Sequence, residues 1–425
     1  MRLAELIKKG SVLGNPRPHG LFAASFFLPN ADGRMGAHRA ALMARRQKWP
    51  MPLWIVLQFW LALRWRLFFA RRETDLTVAR FAVFIQRTEG VSPALQRARI
   101  LELSRRYCIH PIDAYRFRLY RDPDRVLDYV YDVETAGMHL LMNGPKRLPD
   151  HDKLMDKVAF AERALRIGLP VVPTLALLER GDDEDLRVLA GKCAASRGGV
   201  FVKARASSRA EGAFLVRQVG EQDKIEGRSF DGTPIRGTDE LRAALRAICR
   251  TDSALVQPFL TTHSSLANAK TSRDAVVLRV ISRRGSGKGG KSDLPFALLR
   301  FPMTVQSRLG KPSRFEVVAR VQTENGAITR GICSSLELLP HTRELEDSVF
   351  CQLSAEATVP FWQEIQRHSL AAQEAYRQLS TIAWDWVVTD EGPKLLEGNV
   401  IWGMRLPQEM EGGLLDFVRE GLGAR

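Results

Sequence analysis

Cysteine is scarce: five residues, at positions 108, 193, 249, 333 and 351, spread over a chain of 425 with no C-x-x-C step and no Cys/His spacing. An odd, scattered set argues against a disulfide framework and a structural zinc site. It fits a reduced, cytoplasmic compartment in which the thiols are small core residues. The first twenty residues hold no sustained apolar run with a small-residue cleavage site, which argues against a secretory leader. There is no zinc-finger spacing, RNP-type aromatic strand or basic zipper, so no nucleic-acid partner is expected. Internal repeats and a Ser/His/Asp nucleophile pattern are missing too.

What is present is an ordinary globular composition, 45% hydrophobic and 26% charged, long enough for two or three domains without staples. The net charge of +15 suits anionic partners such as nucleotides, phosphorylated or carboxylated substrates or an acidic membrane face. Arginine-rich faces that are merely solvated would give the same balance. Residues 51–70, MPLWIVLQFWLALRWRLFFA, are long enough to span a bilayer but contain Gln58, Arg64 and Arg66. With Arg71 and Arg72 following, 51–72 reads either as a helix lying in a membrane interface or as a helix buried against its neighbours; the buried reading is preferred.

Along the chain, residues 1–50 read as a loosely held arm and 51–148 as a helical region, with Ser92-Pro and Asp122-Pro as helix starts. Beyond Pro149 strands and helices mix without strict βαβ order, which points to α+β. An amphipathic helix is expected at 153–167 and a long helix at 361–382. Strands are expected at 174–179, around Lys203, at ALVQPFL (254–260), at AVVLRVI (275–281), at PFALLRF (295–301), at 314–322 and at 327–332.

The segment WDWVVTDEGPKLLEGN (384–399) reads as a terminal hairpin. Asp385 points away from Trp384 and Trp386, and Glu397 and Asn399 share a face. Folded together, two carboxylates and an amide oxygen make a hard-oxygen site suited to Mg²⁺; the same acids on an exposed sheet face would simply be solvated. Lys203, ending the strand VFV before a turn of small residues, is placed to meet phosphate oxygens. Arg279 interrupts an apolar strand and, pointing inward, needs an anion.

In this order, DK…GLPVVPTLAL, FVKARASSRAEGAFLV, ALVQPFL, VVLRVI, VPFW and WDWVVTDEGPKLLEGN resemble an ATP-grasp domain over roughly residues 150–410. With Pro360-Phe-Trp362 ahead of the hairpin, the resemblance is to the sugar-transfer-associated, glutamate-ligase-like branch. It implies two α+β lobes, at 149–260 and 261–425, with ATP between them, after a mainly helical N-terminal region. By the same resemblance Lys157, Lys203, Ser207, Ser208 and Gly212 would hold ATP phosphates, and Gln257, Pro258, Phe259 and Leu260 would form the adenine hinge. Arg279 and Lys203 would be catalytic, and Asp385, Glu397 and Asn399 would bind Mg²⁺. His263 is placed near the hinge, as a ribose contact or a surface residue, and Trp362 and Arg405 near an acceptor pocket. The sequence departs from the family in the serines of the phosphate loop and in the basic Arg308, Lys311 and Arg314. The implied activity joins a small-molecule carboxylate to an amine in the cytoplasm, with ATP-dependent phosphorylation of a hydroxyl, or nucleotide binding without catalysis, as alternatives.

Overall fold

The computed structural model describes residues 33–46, 50–144, 148–196, 198–206, 212–218, 225–229, 232–269, 274–285, 290–306, 312–333, 353 and 357–423. The architecture is α+β: a helical N-terminal region precedes two six-stranded sheets in which every neighbouring pair is antiparallel. The first sheet holds β1 (Ala176–Leu178), β2 (Val200–Ala204), β3 (Phe214–Gln218), β4 (Ile225–Ser229), β5 (Pro234–Ile235) and β6 (Ala254–Pro258), in the order β1-β6-β2-β3-β4-β5. The second holds β7 (Val277–Arg283), β8 (Asp293–Gln306), β9 (Pro312–Val321), β10 (Ile328–Cys333), β11 (Thr381–Thr389) and β12 (Gly392–Asn399), in the order β10-β9-β8-β7-β11-β12.

Alternation along β7 and β11 divides the second sheet into two unlike faces. Leu278, Val280, Ile382, Trp384 and Trp386 enter a core shared with Trp362, Ile365 and Ala372 of the helix Trp362–Ala375. Trp384 Nε1 donates to Ser282 Oγ and Trp386 Nε1 to Ser369 Oγ, so neither buried indole lacks an acceptor. The opposite face carries Ile281 and Ala383, which pack under the N-terminal helices, and next to them Arg279 and Asp385. The helices Pro149–Met155 and Lys157–Arg166 also join the second sheet, through Leu154, Phe160 and Ala164.

Several sequence expectations change. Within the expected arm, Arg34–Arg45 is a helix packed on Asp132–Asn143; a Cβ on Gly137 would stand 2.4 Å from the Ala41 carbonyl oxygen, so the contact needs small residues. The rest of the arm lies mostly outside the described residues. The helix expected from Asp122-Pro is a 3₁₀ turn at Pro123–Asp128, followed by a break. Gln408 both accepts from Val130 N (2.6 Å) and donates to Val130 O (2.7 Å), which replaces helical bonds there. The amphipathic helix at 153–167 is two helices, because Asp156 leaves helical geometry to cap the second by accepting from Val158 N and Ala159 N. The long helix at 361–382 stops at Ala375, where Gln373 turns its amide to Leu379 O and the chain enters β11.

The segment 51–72 is the largest change. Met51–Arg64 continues through a π-helical turn, Trp65–Phe69, into Ala70–Glu89. Among the described residues one side is covered, where Ala62, Trp65 and Ala70 pack with Cys108, while Leu53, Val56, Leu67 and Phe68 on the other are each more than half exposed. The preferred buried reading is therefore corrected. The helix Pro93–Tyr107 supplies a partner for one face alone, anchored by Trp65 Nε1 donating to Ser104 O at 3.0 Å.

Candidate functional site

Antiparallel register places Arg279 of β7, Asp385 of β11 and Glu397 of β12 side by side on three adjacent strands. An irregularity between Asp385 and Trp386 sets the register that aligns Asp385 with Glu397 and Ala383 with Asn399. Arg279 grips Asp385 with two parallel bonds, Nε to Oδ1 and Nη2 to Oδ2, both 2.7 Å. Asn399 Nδ2 donates to Asp385 Oδ2 at 3.1 Å and to Glu397 Oε1 at 3.4 Å. Two carboxylates and an amide thus stand within hydrogen-bond reach on one face. Among the described residues no group of three His, Cys, Asp or Glu side chains is placed to hold a metal.

Two lysines from elsewhere in the chain face these acids. Lys203, in β2 of the first sheet, is 8% exposed, and burial pushes its ammonium down to about 8. Glu397 and Asp385 resist that fall and the nearby Lys157 deepens it. Lys157, at the start of its helix, is lowered by burial against the pull of Glu397, Asp252 and Asp156. Burial also works against the Arg279 charge, but the adjacent Asp385 carboxylate outweighs it and the guanidinium stays ionised. Lys157, Lys203 and Arg279 thus share their surroundings with Asp385 and Glu397, and Asp156, Asp252 and Glu316 act on the same cations, so the cluster is one of answered charges.

The remaining expected residues fall as follows. Ser207 and Ser208 lie outside the described residues. Gly212, at the far end of the same turn, has φ +72°, a conformation glycine adopts without strain. Gln257 and Pro258 end β6, and Phe259 and Leu260 begin the connection to the second sheet. There Phe259 N donates to Gly199 O at 3.1 Å, and Arg217 stacks on the Phe259 ring. His263 caps a short helix through Ser265 N and lies 3.7 Å from Asp390, which is a local structural role. Trp362 is buried over Gly326 with Nε1 donating to Thr323 O, and Arg405 pairs with Glu409. Arg308 and Lys311 lie outside the described residues.

Sequence reasoning missed two supports. Arg205 forms a bidentate pair with Asp156, at 2.9 and 2.5 Å, while its carbonyl oxygen accepts from Lys157 Nζ at 3.2 Å. Asp156 therefore caps the helix that carries Lys157 and also holds the strand end beyond Lys203. An acid directly ahead of Lys157 was the available signal. The second support is Arg300, paired with Glu316 at 2.8–3.0 Å on the same face of the second sheet, which only register reveals.

No family model matches the chain, and no curated protein does. Solved structures are similar to it at low identity. D-alanyl-alanine synthetase A from Vibrio cholerae O1 shares 13% identity, with a TM-score of 0.39, over 64% of this chain and 65% of that one. D-alanine–D-alanine ligase from Bacillus anthracis shares 14%, with a TM-score of 0.37, over 64% and 68%. Biotin carboxylase from Campylobacter jejuni shares 13%, with a TM-score of 0.37, over 65% and 48%. The chain spans just under two thirds of the length of the Vibrio enzyme.

Proposed function

We propose that this chain is an ATP-grasp ligase that activates a small-molecule carboxylate and joins it to an amine, releasing ADP and phosphate. The observation that carries the reading is the partly buried face on which Lys157, Lys203 and Arg279 lie near Asp385, Glu397 and Asn399. Carboxylates resist amines because oxide is a poor leaving group; phosphorylation by ATP supplies a good one. Lys157 and Lys203 hold phosphate oxygens as point charges, and Arg279 stabilises charge on the transferring group. Asp385 and Glu397 carry the carboxylate oxygens that Mg²⁺ would take beside the same phosphates, and Asn399, whose Nδ2 donates to both acids here, would add Oδ1 once its amide turns. Gln257–Leu260, where the chain passes between the sheets, is the proposed adenine edge. Pro360-Phe-Trp362, opening the helix that packs behind the hairpin, supports the sugar-transfer-associated branch within this proposal.

The test is ADP release by the purified protein with Mg-ATP across panels of carboxylates and amines. A ligase shows ADP formation that depends on both substrates and yields an amide. ADP formed without amine, with a stable phosphorylated product, would make the protein a phosphotransferase instead. Mg-ATP binding that survives Glu397→Ala with Asn399→Ala would remove the metal assignment.

A further inference from the structure

The helix running from Met51 to Glu89 has one face committed to protein and one that is not. On the committed face lie Gln58, Leu61, Ala62, Arg64 and Trp65. On the other, Leu53 (57%), Val56 (65%), Trp60 (45%), Leu67 (64%) and Phe68 (65%) are exposed, a density of large apolar side chains unusual on a solvated surface. Successive members are three, four or seven residues apart up to Leu67, so they form one stripe rather than scattered exposures.

Charge indicates what covers it. Residues 51–107 contain ten arginines and four acids. Arg71 and Arg72 follow the apolar stripe and are exposed. Asp75 answers Arg71 and Arg97, and among the described residues Arg72, Arg105 and Arg106 have no acidic partner. There Arg66, Arg105 and Arg106, with Glu102, Ala98 and Leu101, line an open groove of about 460 Å³. Arg66 is held in place by donating to Arg105 O (2.8 Å) and Arg106 O (3.2 Å).

We infer that this surface docks the protein on an anionic lipid bilayer, with the apolar stripe in the acyl boundary and the arginines against headgroup phosphates. An exposed tryptophan with arginines at the end of an apolar stripe is what an interfacial helix requires. The helix would lie on the membrane rather than span it, because Trp65 is fastened to Ser104 of Pro93–Tyr107 and Ala62 and Ala70 pack with Cys108 on its other face. The surface shares no residue with the lysine–carboxylate face, so its failure would leave the ligase proposal untouched.

The test is flotation of the full-length protein with vesicles of phosphatidylcholine, with and without phosphatidylglycerol, at low and high salt. The protein is expected to float with the phosphatidylglycerol vesicles and to be released by salt. Arg71→Glu with Arg72→Glu should weaken partitioning roughly tenfold or more. Val56→Glu with Leu67→Glu, at exposed positions that leave folding intact by circular dichroism, should abolish it. Absence of flotation with either vesicle overturns the proposal. So does concentration-dependent dimerisation that Val56→Glu with Leu67→Glu abolishes while vesicles have no effect, since a second copy would then own the face. Equal flotation of the Val56→Glu/Leu67→Glu variant and the parent also overturns it, since the stripe would then play no part.

Discussion

Lys203 spends most of its side chain inside the protein, where burial brings its ammonium down to about 8. On the proposed function Lys203 meets phosphate as the ammonium, so affinity for ATP should fall as pH rises from 7 past about 8. Isothermal titration from pH 7 to pH 9 measures this, and Lys203→Met should bind roughly ten- to a hundredfold more weakly at neutral pH. Arg279 and Asp385 behave as a unit. Arg279→Met alone leaves a buried carboxylate without its partner and should cost ~3–5 kcal/mol in urea denaturation. Replacing both, as Arg279→Met with Asp385→Leu, should recover most of that loss while nucleotide-dependent chemistry stays absent. Lys203, Arg279, Asp385, Glu397 and Asn399 were all legible as candidates, since each sets polar chemistry on an apolar strand. That they meet was not legible, because Lys203 reaches the acids from a different sheet.

At the level of elements, Asp156 connects a helix start to a strand end. Its carboxylate accepts from Val158 N and Ala159 N and also pairs with Arg205, whose carbonyl holds Lys157. Asp156→Ala should lower the thermal midpoint by an amount equivalent to ~1 kcal/mol, the usual worth of a cap, and weaken ATP binding as well. Asp156→Asn separates the two roles, because it keeps the capping acceptor and loses the ion pair: the midpoint should stay near that of the parent while affinity falls. The cap at Ser92 was readable, since Ser-Pro before a periodic run is a local signal, and Ser92 does accept from Leu95 N. Strands β4 and β5 were not read: β4 has only intermediate and exposed residues, IEGRS, and the two exist as pairing partners. The break at Val130 likewise depends on Gln408, nearly three hundred residues away in sequence.

Across the whole molecule, the helical region is tied to the C-terminal segment by a buried charged cluster. Asp113 pairs with Arg116, and Glu409 lies near both Arg116 and Arg405. Burial raises Asp113 to about 6 and Glu409 to about 7, against the pull of Arg116 and Arg405 and with Asp132 adding to the rise. A carboxyl whose pKa is higher in the folded chain takes up a proton on folding, so stability should increase as pH falls from about 8 to 6.5. Below that range His139, lowered by burial to about 4, opposes the trend, because the unfolded chain binds its proton first. Circular dichroism melts should show a midpoint rising from pH 8 to 6.5 in the parent and a flatter profile in Glu409→Gln.

The sequence by itself determined the α+β class, the terminal hairpin and the identity of the polar residues set on its strands. Those follow from two-residue alternation and from caps, which act over a few neighbouring positions. Only the tertiary structure decided that Lys157 and Lys203 face Asp385 and Glu397, and that Leu53, Val56, Leu67 and Phe68 of the helix at 51–68 stay more than half exposed. Both depend on which surfaces the chain brings together at long range. A strong apolar helix reads the same whether its stripe is met by protein or left for another phase, since hydrophobicity specifies burial and not the partner.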